Sequence, residues 1–357
     1  MALSLKRVLV GRPLETRQLK HQRLNNFMAL AVFSSDAISS VAYATEEIVL
    51  VLAMAGTIAM AHYTIPISLA ITALFVVVTL SYRQTIPAYP SGGGSYIVAK
   101  DNIGTLPGLI AAGSLLTDYI LTVAVSTAAG VAAITSAVPS LYPYRVVFCL
   151  ACVAFITIMN LRGVRESGAV FSVPTYFFLT VMFVTIIVGI YKSLYTHQAV
   201  HNPEYLSMKA IQPLTFFLVI KAFSSGCSAL TGIEAISNGI TAFKAPEAIN
   251  ARKTLTAMSA ICIFLFFGTT YLAHHFQITP KETETVVSQI TRGLFGRNIM
   301  YYFVQAGTAL ILIMGANTSF SDFPRLSSIL SRAGFMPRQM ANLGDRLVFA
   351  NGIILLG

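Results

Sequence analysis

Two serine-rich stretches inside long apolar segments decide the fold: residues 33–43 read FSSDAISSVAY, and residues 223–234 read FSSGCSALTGIE. Serine and glycine are poor helix formers, and serine hydroxyls compete for backbone hydrogen bonds. A helix interrupted in hydrocarbon survives only where it is buried in protein or lines a cavity. We interpret both stretches as breaks in transmembrane helices. Unbroken spans that pack through small residues are the alternative interpretation.

The composition around these stretches is that of a membrane protein. The 357 residues are 55% hydrophobic and 11% charged, with a mean hydropathy of +0.71, whereas soluble domains carry about 25% charged residues. Long apolar runs recur, each close to the roughly 20 residues that a spanning helix needs. The sequence predicts an all-α, polytopic protein with eight spans. Their predicted ranges are 25–56, 63–83, 107–138, 144–161, 169–195, 212–241, 251–276 and 298–325.

The basic residues predict the orientation of these spans. With a cytoplasmic N-terminus, 17 of the 24 Lys and Arg residues lie in cytoplasmic segments, as the positive-inside rule requires. Those segments are 1–24, 82–106, 160–168, 241–254 and 325–347. We therefore expect a multi-pass plasma-membrane protein with its N-terminus inside. The net charge of +10 is explained by topology, and no nucleic-acid partner is predicted because no basic stripe interleaved with aromatic residues occurs.

The spacing of the two breaks predicts an internal repeat. They fall in the first and sixth spans, and an odd number of spans per repeat makes two halves inverted relative to each other. Interrupted spans at corresponding positions of two halves point to a transporter's binding site. We predict one transporter domain, with a first repeat at about 25–195 and an incomplete second repeat at about 212–357. Residues 347–357 are too few to cross a bilayer, so we expect a chain truncated after about eight spans.

Several ionisable and hydroxyl residues inside the spans are candidates for ion binding. The ionisable ones are Asp36, Asp118, Lys221 and Glu234. Such residues are costly in a bilayer and normally face a wet or polar interior. Spacing by four places a polar stripe on one face of the third span. The stripe consists of Ser114, Asp118, Thr122 and Ser126. Hydrogen bonding between helices is the alternative role for this stripe.

The two breaks carry further oxygen ligands. We expect Asp36 and Tyr43 to flank the first break, and Thr231 and Glu234 to share a face beside the second. Carboxylates and hydroxyls suit a small cation, although the ammonium group of an amino acid fits the same chemistry. A buried carboxyl group is also a candidate proton carrier.

Other charged residues near the spans receive simpler interpretations. Lys221 is interpreted as the partner of a buried acid, with an interfacial position as the alternative. Asp322 is interpreted as a helix-end residue. Glu46 and Glu47 are expected to form an outer vestibule.

A glycine-rich segment at residues 90–96, PSGGGSY, lies between the second and third predicted spans. It lacks the GK[ST] ending of a phosphate loop, and a re-entrant segment fits the topology better. This segment resembles the P-x-G-G-x-Y signature of the amino acid–polyamine–organocation superfamily. Within it, the chain is most similar to the KimA-type potassium–proton symporters from about residue 5 to its end. The similar stretches are Ser34–Glu46, Ser81–Asp101, Gly113–Ser126, Asn160–Glu166, Lys221–Lys244 and Thr285–Gln289.

The resemblance implies a LeuT-like inverted repeat of five plus five helices, with the first and sixth unwound. It implies potassium bound by four residues, which are Asp118, Tyr119, Thr122 and Thr231. It further implies that Asp36, Tyr43 and Glu234 line the same pathway and that a carboxylate carries the proton. Members of the family continue through more spans and a cytosolic C-terminal region.

Four functions are weighed against these observations. The first is proton-coupled potassium uptake by alternating access, with potassium, protons and the lipid bilayer as partners. The second is a proton-coupled amino acid or polyamine permease of the same superfamily. A channel is disfavoured because no filter sequence appears. An enzyme is not predicted, since no metal-ligand cluster or nucleophile–base pair stands out, and no cofactor is predicted. A homodimer is left open.

Overall fold

The computed structural model describes residues 23–90, 92, 94–162, 168–195, 203–342 and 349–357. In these ranges the regular secondary structure is helical, apart from one isolated β-bridge between Leu24 and Phe243. The α-helices, in chain order, are α1 Asn26–Phe33, α2 Ser35–Ala53, α3 Gly56–Ala88, α4 Ser95–Asn102, α5 Thr105–Ala137, α6 Arg145–Leu161, α7 Gly168–Tyr195, α8 Pro203–Leu206, α9 Phe216–Gly226, α10 Ala235–Asn238, α11 Glu247–His275, α12 Val286–Phe295, α13 Ile299–Arg332 and α14 Ala350–Leu356. Short 3₁₀ helices occur at Pro139–Tyr144, Cys227–Leu230, Ile240–Ala242 and Arg338–Ala341.

The predicted all-α membrane architecture is confirmed. Within the described ranges, seven helical segments are long and apolar enough to cross a membrane, and the bent pair α1–α2 raises the number to eight. The spans are, in order, α1–α2, α3, α5, α6, α7, α9 to α10, α11 and α13. The sixth span is read as one unit from Phe216 to Asn238. The predicted cytoplasmic N-terminus stays a prediction, and the basic residues before Arg23 lie outside the described part of the chain.

Several spans extend beyond their predicted ends. The second span covers Gly56–Ala88, well beyond the predicted 63–83. The eighth span continues to Arg332, and its last turns bury Leu326 and Leu330. Asp322 therefore lies inside the helix, and its interpretation as a helix-end residue is wrong. Apolar burial of the final turns explains why the helix does not stop at residue 325, where the apolar run ends.

The first break is at Ser34, between α1 and α2, where the two helices are bent by 47°. The prediction that Asp36 and Tyr43 flank the break is wrong, because both residues lie in α2 after it. Serine did not break the helix further along. The hydroxyls of Ser39 and Ser40 donate to the Asp36 carbonyl oxygen at 2.8 and 3.1 Å, as serines inside helices often do.

The second break confirms the interpretation of the sixth span. Helix α9 ends at Gly226, a 3₁₀ turn follows, and helical geometry resumes only in α10. Thr231 has extended dihedral angles, and Gly232 has a φ of +76°. This left-handed conformation strains any residue with a side chain. The regular α-helix of the sixth span is therefore interrupted between Gly226 and Ala235.

The two interrupted spans approach each other closely at Gly232. A Cβ atom added to Gly232 would lie 2.7 Å from the Ala37 nitrogen and 2.8 Å from the Asp36 Cβ atom. The eighth span approaches the same place, since a Cβ atom on Gly315 would overlap the Ser39 side chain. Glycine thus allows three spans to meet at the centre of the bundle, as small residues do in membrane proteins.

The fourth span lies at the periphery of the bundle. Only 6% of its most apolar window is buried, and Val146, Val147, Leu150 and Phe155 are exposed. Apolar side chains in such a position suit contact with lipid. The functional residues are therefore expected to lie on the inner spans.

Candidate functional site

A cavity of about 360 Å³ lies between the first, third and sixth spans. Its lining combines carboxylates, hydroxyls and a few apolar side chains. The lining residues are Tyr43, Glu47, Asp118, Leu121, Thr122, Val125, Ser224, Ser225, Cys227, Ser228 and Thr231. The three spans that sequence reasoning singled out are the ones that form this cavity.

Helix α5 supplies one wall of the cavity. Asp118 and Thr122 are one turn apart and both line it. The polar stripe on this helix therefore faces a cavity at these two positions. The first and last residues of the stripe do not line the cavity. Ser114 is exposed, and Ser126 is fully buried.

A chain of hydroxyls connects the two interrupted spans. The Tyr43 hydroxyl donates to Ser40 Oγ at 3.1 Å, and Ser40 Oγ shares a hydrogen bond with Thr231 Oγ1. The Ser228 carbonyl oxygen lies 3.0 Å from Thr231 Oγ1 and is an alternative acceptor for the single hydroxyl proton of Thr231. Ser40 was not among the predicted site residues, although the i, i+3 spacing from Tyr43 was visible in the sequence. The extended backbone at Thr231 holds its hydroxyl against the first span.

The predicted site residues separate into two groups. Tyr43, Asp118, Thr122 and Thr231 line the cavity, whereas Asp36, Tyr119, Ser126 and Glu234 do not. Asp36 is only 4% exposed, and its Oδ1 atom has no hydrogen-bond partner within the described part of the chain; the same holds for the Ser126 hydroxyl. Buried polar atoms without partners are uncommon in native proteins and require an explanation.

Glu234 lies in a separate cluster of hydroxyls. Tyr119 donates to its Oε1 atom at 2.6 Å, while Ser95 and Tyr82 approach its Oε2 atom at 3.1 and 3.4 Å. The prediction that Glu234 shares a face with Thr231 is wrong. The left-handed Gly232 lies between the two residues and turns their side chains toward different neighbours.

The glycine-rich segment contacts the end of the sixth span. A Cβ atom on Gly92, whose φ is +96°, would lie 3.0 Å from the Asn238 carbonyl oxygen, and one on Gly94 would overlap the Asn238 side chain. This contact positions Ser95, the first residue of α4, beside Glu234. Ser91 and Gly93 lie outside the described residues.

Lys221 and Glu46 differ from their predicted roles. Lys221 is exposed, and no ion pair involves it among the described residues, so its interpretation as the partner of a buried acid is wrong. The side chains of Glu46 and Glu47 point in different directions, as those of consecutive residues in a helix do. Glu47 lines the cavity, whereas the Glu46 carboxylate accepts a hydrogen bond from the Val286 backbone nitrogen at 3.2 Å.

The cavity offers oxygen ligands to a cation. Among the described residues there is no group of three or more His, Cys, Asp or Glu side chains that could hold a metal ion. A site formed by a carboxylate and several hydroxyls suits a weakly held monovalent cation, because such oxygens can replace its hydration shell. The volume also admits water or a small organic molecule, since water occupies about 30 Å³ in the liquid.

A helical membrane protein whose two interrupted spans meet beside a polar cavity has the architecture of a secondary transporter. The chain belongs to the amino acid permease family, whose model matches residues 24–357. It is 51% identical, over 355 residues and 99% of its length, to the potassium transporter KimA of Bacillus subtilis (strain 168). The chain spans 58% of the length of that relative.

Proposed function

We propose that this protein takes up potassium together with protons across the plasma membrane, by alternating access, with its N-terminus in the cytoplasm. The observation that carries the proposal is the Asp118 carboxylate, which lines a cavity together with hydroxyls from three spans. The similarity to a potassium transporter supports the choice of cation. A homodimer and the inverted repeat of residues 25–195 and 212–357 stay predictions.

Four lining residues are assigned to potassium: Tyr43, Asp118, Thr122 and Thr231. Asp118 supplies the negative charge, and the hydroxyls supply neutral oxygen atoms. Asp36 and Ser126 each have a buried side-chain oxygen without a hydrogen-bond partner among the described residues, so we assign them to the pathway beside the cavity. Tyr119 is reassigned from a potassium ligand to a partner of Glu234, since its hydroxyl lies 2.6 Å from that carboxylate.

We assign the proton to Glu234. Its carboxylate accepts hydrogen bonds from hydroxyls on three separate elements, α3, α4 and α5, and each such hydrogen bond stabilises a negative charge on the carboxylate. Any rearrangement that separates α3, α4 and α5 from the sixth span removes these donors and with them the stabilisation of the charged carboxylate. Proton binding is thereby linked to the relative positions of the spans, as a symporter requires.

A permease for amino acids or polyamines is the second candidate. The observation that favours it is the cavity volume of about 360 Å³, which exceeds the need of one bare ion. The amino acid permease family match is compatible with it. In this alternative, Asp118 binds the ammonium group of the substrate in place of potassium.

Growth of a potassium-uptake-deficient bacterium at low potassium tests the proposal. Expression of the protein is expected to restore growth, and labelled amino acids or polyamines are not expected to accumulate. If the protein is present in the membrane, fails to restore growth and accumulates a labelled amino acid or polyamine, the permease function replaces the potassium function.

Removing a lining hydroxyl is expected to weaken potassium binding. Replacing Thr122 by Val keeps the side-chain shape and removes one oxygen ligand, so we expect the KM for potassium to rise about tenfold, for a loss of about 1.4 kcal/mol. Thr117→Val is the matched control on the same helix, because Thr117 is exposed and donates to the Gly113 carbonyl. Equal KM values for both variants would contradict the assigned site.

The Tyr119→Phe variant distinguishes the two roles given to Tyr119. Loss of its hydrogen bond to Glu234 is expected to lower the maximal uptake rate about tenfold, because a hydrogen bond to a charged group contributes roughly 1.5–3 kcal/mol. The KM for potassium is expected to stay within about twofold. Initial rates of rubidium uptake measure both quantities. A large rise in KM at an unchanged maximal rate would instead support Tyr119 as a potassium ligand.

A further inference from the structure

Glu47 provides a second carboxylate in the cavity. It follows Tyr43 by four residues on α2, so the two side chains share a face about 6 Å apart along the helix axis. Both line the same cavity as Asp118. No described residue donates a hydrogen bond or an ion-pair contact to the Glu47 carboxylate. The Glu47 carboxylate therefore lines the cavity without a hydrogen-bond partner among the residues that the structure describes.

Three serines of the sixth span line the cavity together with Glu47: Ser224, Ser225 and Ser228. They belong to the interrupted segment, at the end of α9 and in the 3₁₀ turn. The Ser228 hydroxyl is enclosed and has no hydrogen-bond partner within the described part of the chain. A carboxylate and hydroxyl oxygens are the ligands that monovalent cations accept.

The cavity is larger than one bound cation requires. Its volume of about 360 Å³ corresponds to roughly twelve water molecules at about 30 Å³ each. The ligands around Asp118, Thr122 and Thr231 account for one cation. Glu47 and Asp118 are two carboxylates that line this one cavity.

We propose that Glu47, Ser224, Ser225 and Ser228 form a second cation-binding position, which holds a partly hydrated potassium ion beside the one at Asp118. This inference rests on the proposed potassium function. The second position captures the ion from solution and raises its local concentration next to Asp118. Glu47 is therefore a determinant of apparent affinity, while the transport cycle itself depends on Asp118.

Rubidium uptake into proteoliposomes containing the protein tests the role of Glu47. The Glu47→Gln variant is expected to raise the KM for rubidium about fivefold and to leave the maximal rate within about twofold. Glu47→Asp retains the charge and is expected to recover most of the affinity. Glu46→Gln is the matched control, because glutamine keeps an acceptor for the Val286 nitrogen and Glu46 does not line the cavity. The KM for rubidium and the maximal rate of Glu46→Gln are expected to equal those of the parent protein.

Equilibrium rubidium binding to the purified protein gives a second, independent measurement. We expect two sites in the parent and one in Glu47→Gln, with one site retained in Asp118→Asn. A KM for Glu47→Gln equal to that of the parent, or one site in parent and variant alike, would overturn the second position and leave the potassium function intact. A parent that neither binds nor transports rubidium or potassium would overturn both.

Discussion

The Asp118→Asn variant is expected to lose potassium uptake by a factor of about 100 or more. The asparagine side chain has nearly the same size as aspartate, so the cavity keeps its shape and loses its charge. The cation then lies in a low-dielectric site without its compensating carboxylate, and the loss of one partner from such a pair costs about 3 kcal/mol or more. Initial rates of rubidium uptake in cells lacking other potassium transporters measure the effect.

Asp101→Asn is the control for this experiment. Asp101 is an exposed residue of α4 and does not line the cavity, so uptake is expected to be unchanged. Membrane abundance of both variants is measured by immunoblotting. An Asp118→Asn variant that is present at the parental level and transports at half the parental rate or better would show that the carboxylate is not a ligand of the transported ion.

The second large effect is expected from Gly232→Ala. The φ of +76° is unfavourable for alanine by about 1–2 kcal/mol. The new Cβ atom would also lie 2.7 Å from the Ala37 backbone nitrogen, so the two interrupted spans would have to separate. Such overpacking costs about 1–3 kcal/mol more. We expect uptake to fall below about one tenth of the parental rate, with a lower melting temperature in detergent.

Gly293→Ala is the matched control for the glycine substitution. A Cβ atom at Gly293 on α12 would meet no other atom within 4 Å, so uptake and melting temperature are expected to stay at the parental values. A Gly232→Ala variant with parental stability and uptake would contradict the close approach of the first and sixth spans.

Apolar runs and helix-breaking residues were sufficient to predict the spans and the two interrupted helices. Length and hydropathy decide whether a segment crosses a bilayer, and both are properties of the sequence. The sixth span illustrates this, because the density of Ser and Gly near residue 226 predicted its break. Asp118 was found as an ionisable residue inside a span, and its spacing from Thr122 predicted that the two side chains share one face of the helix.

The arrangement around Glu234 and Glu47 was not predictable in the same way. The separation of Glu234 from Thr231 depends on the dihedral angles of Gly232, and a glycine in a sequence does not reveal which angles it adopts. Serines near Asp36 predicted a break of several residues, yet their hydroxyls bond to the helix backbone and leave α2 intact. Glu46 and Glu47 also differ for reasons of tertiary structure, because Glu46 accepts a hydrogen bond from α12 and Glu47 lines the cavity.

Flux measurements on purified protein in proteoliposomes test the central claim most directly. Vesicles with an alkaline interior are placed in rubidium-containing buffer, with unlabelled potassium, leucine or putrescine as competitors. We expect saturable rubidium uptake that is accelerated by an inward proton gradient. Unlabelled potassium should abolish this uptake, whereas leucine and putrescine should leave it unchanged. Rubidium uptake indifferent to the proton gradient, or proton-driven uptake of leucine or putrescine without any of rubidium, would contradict it.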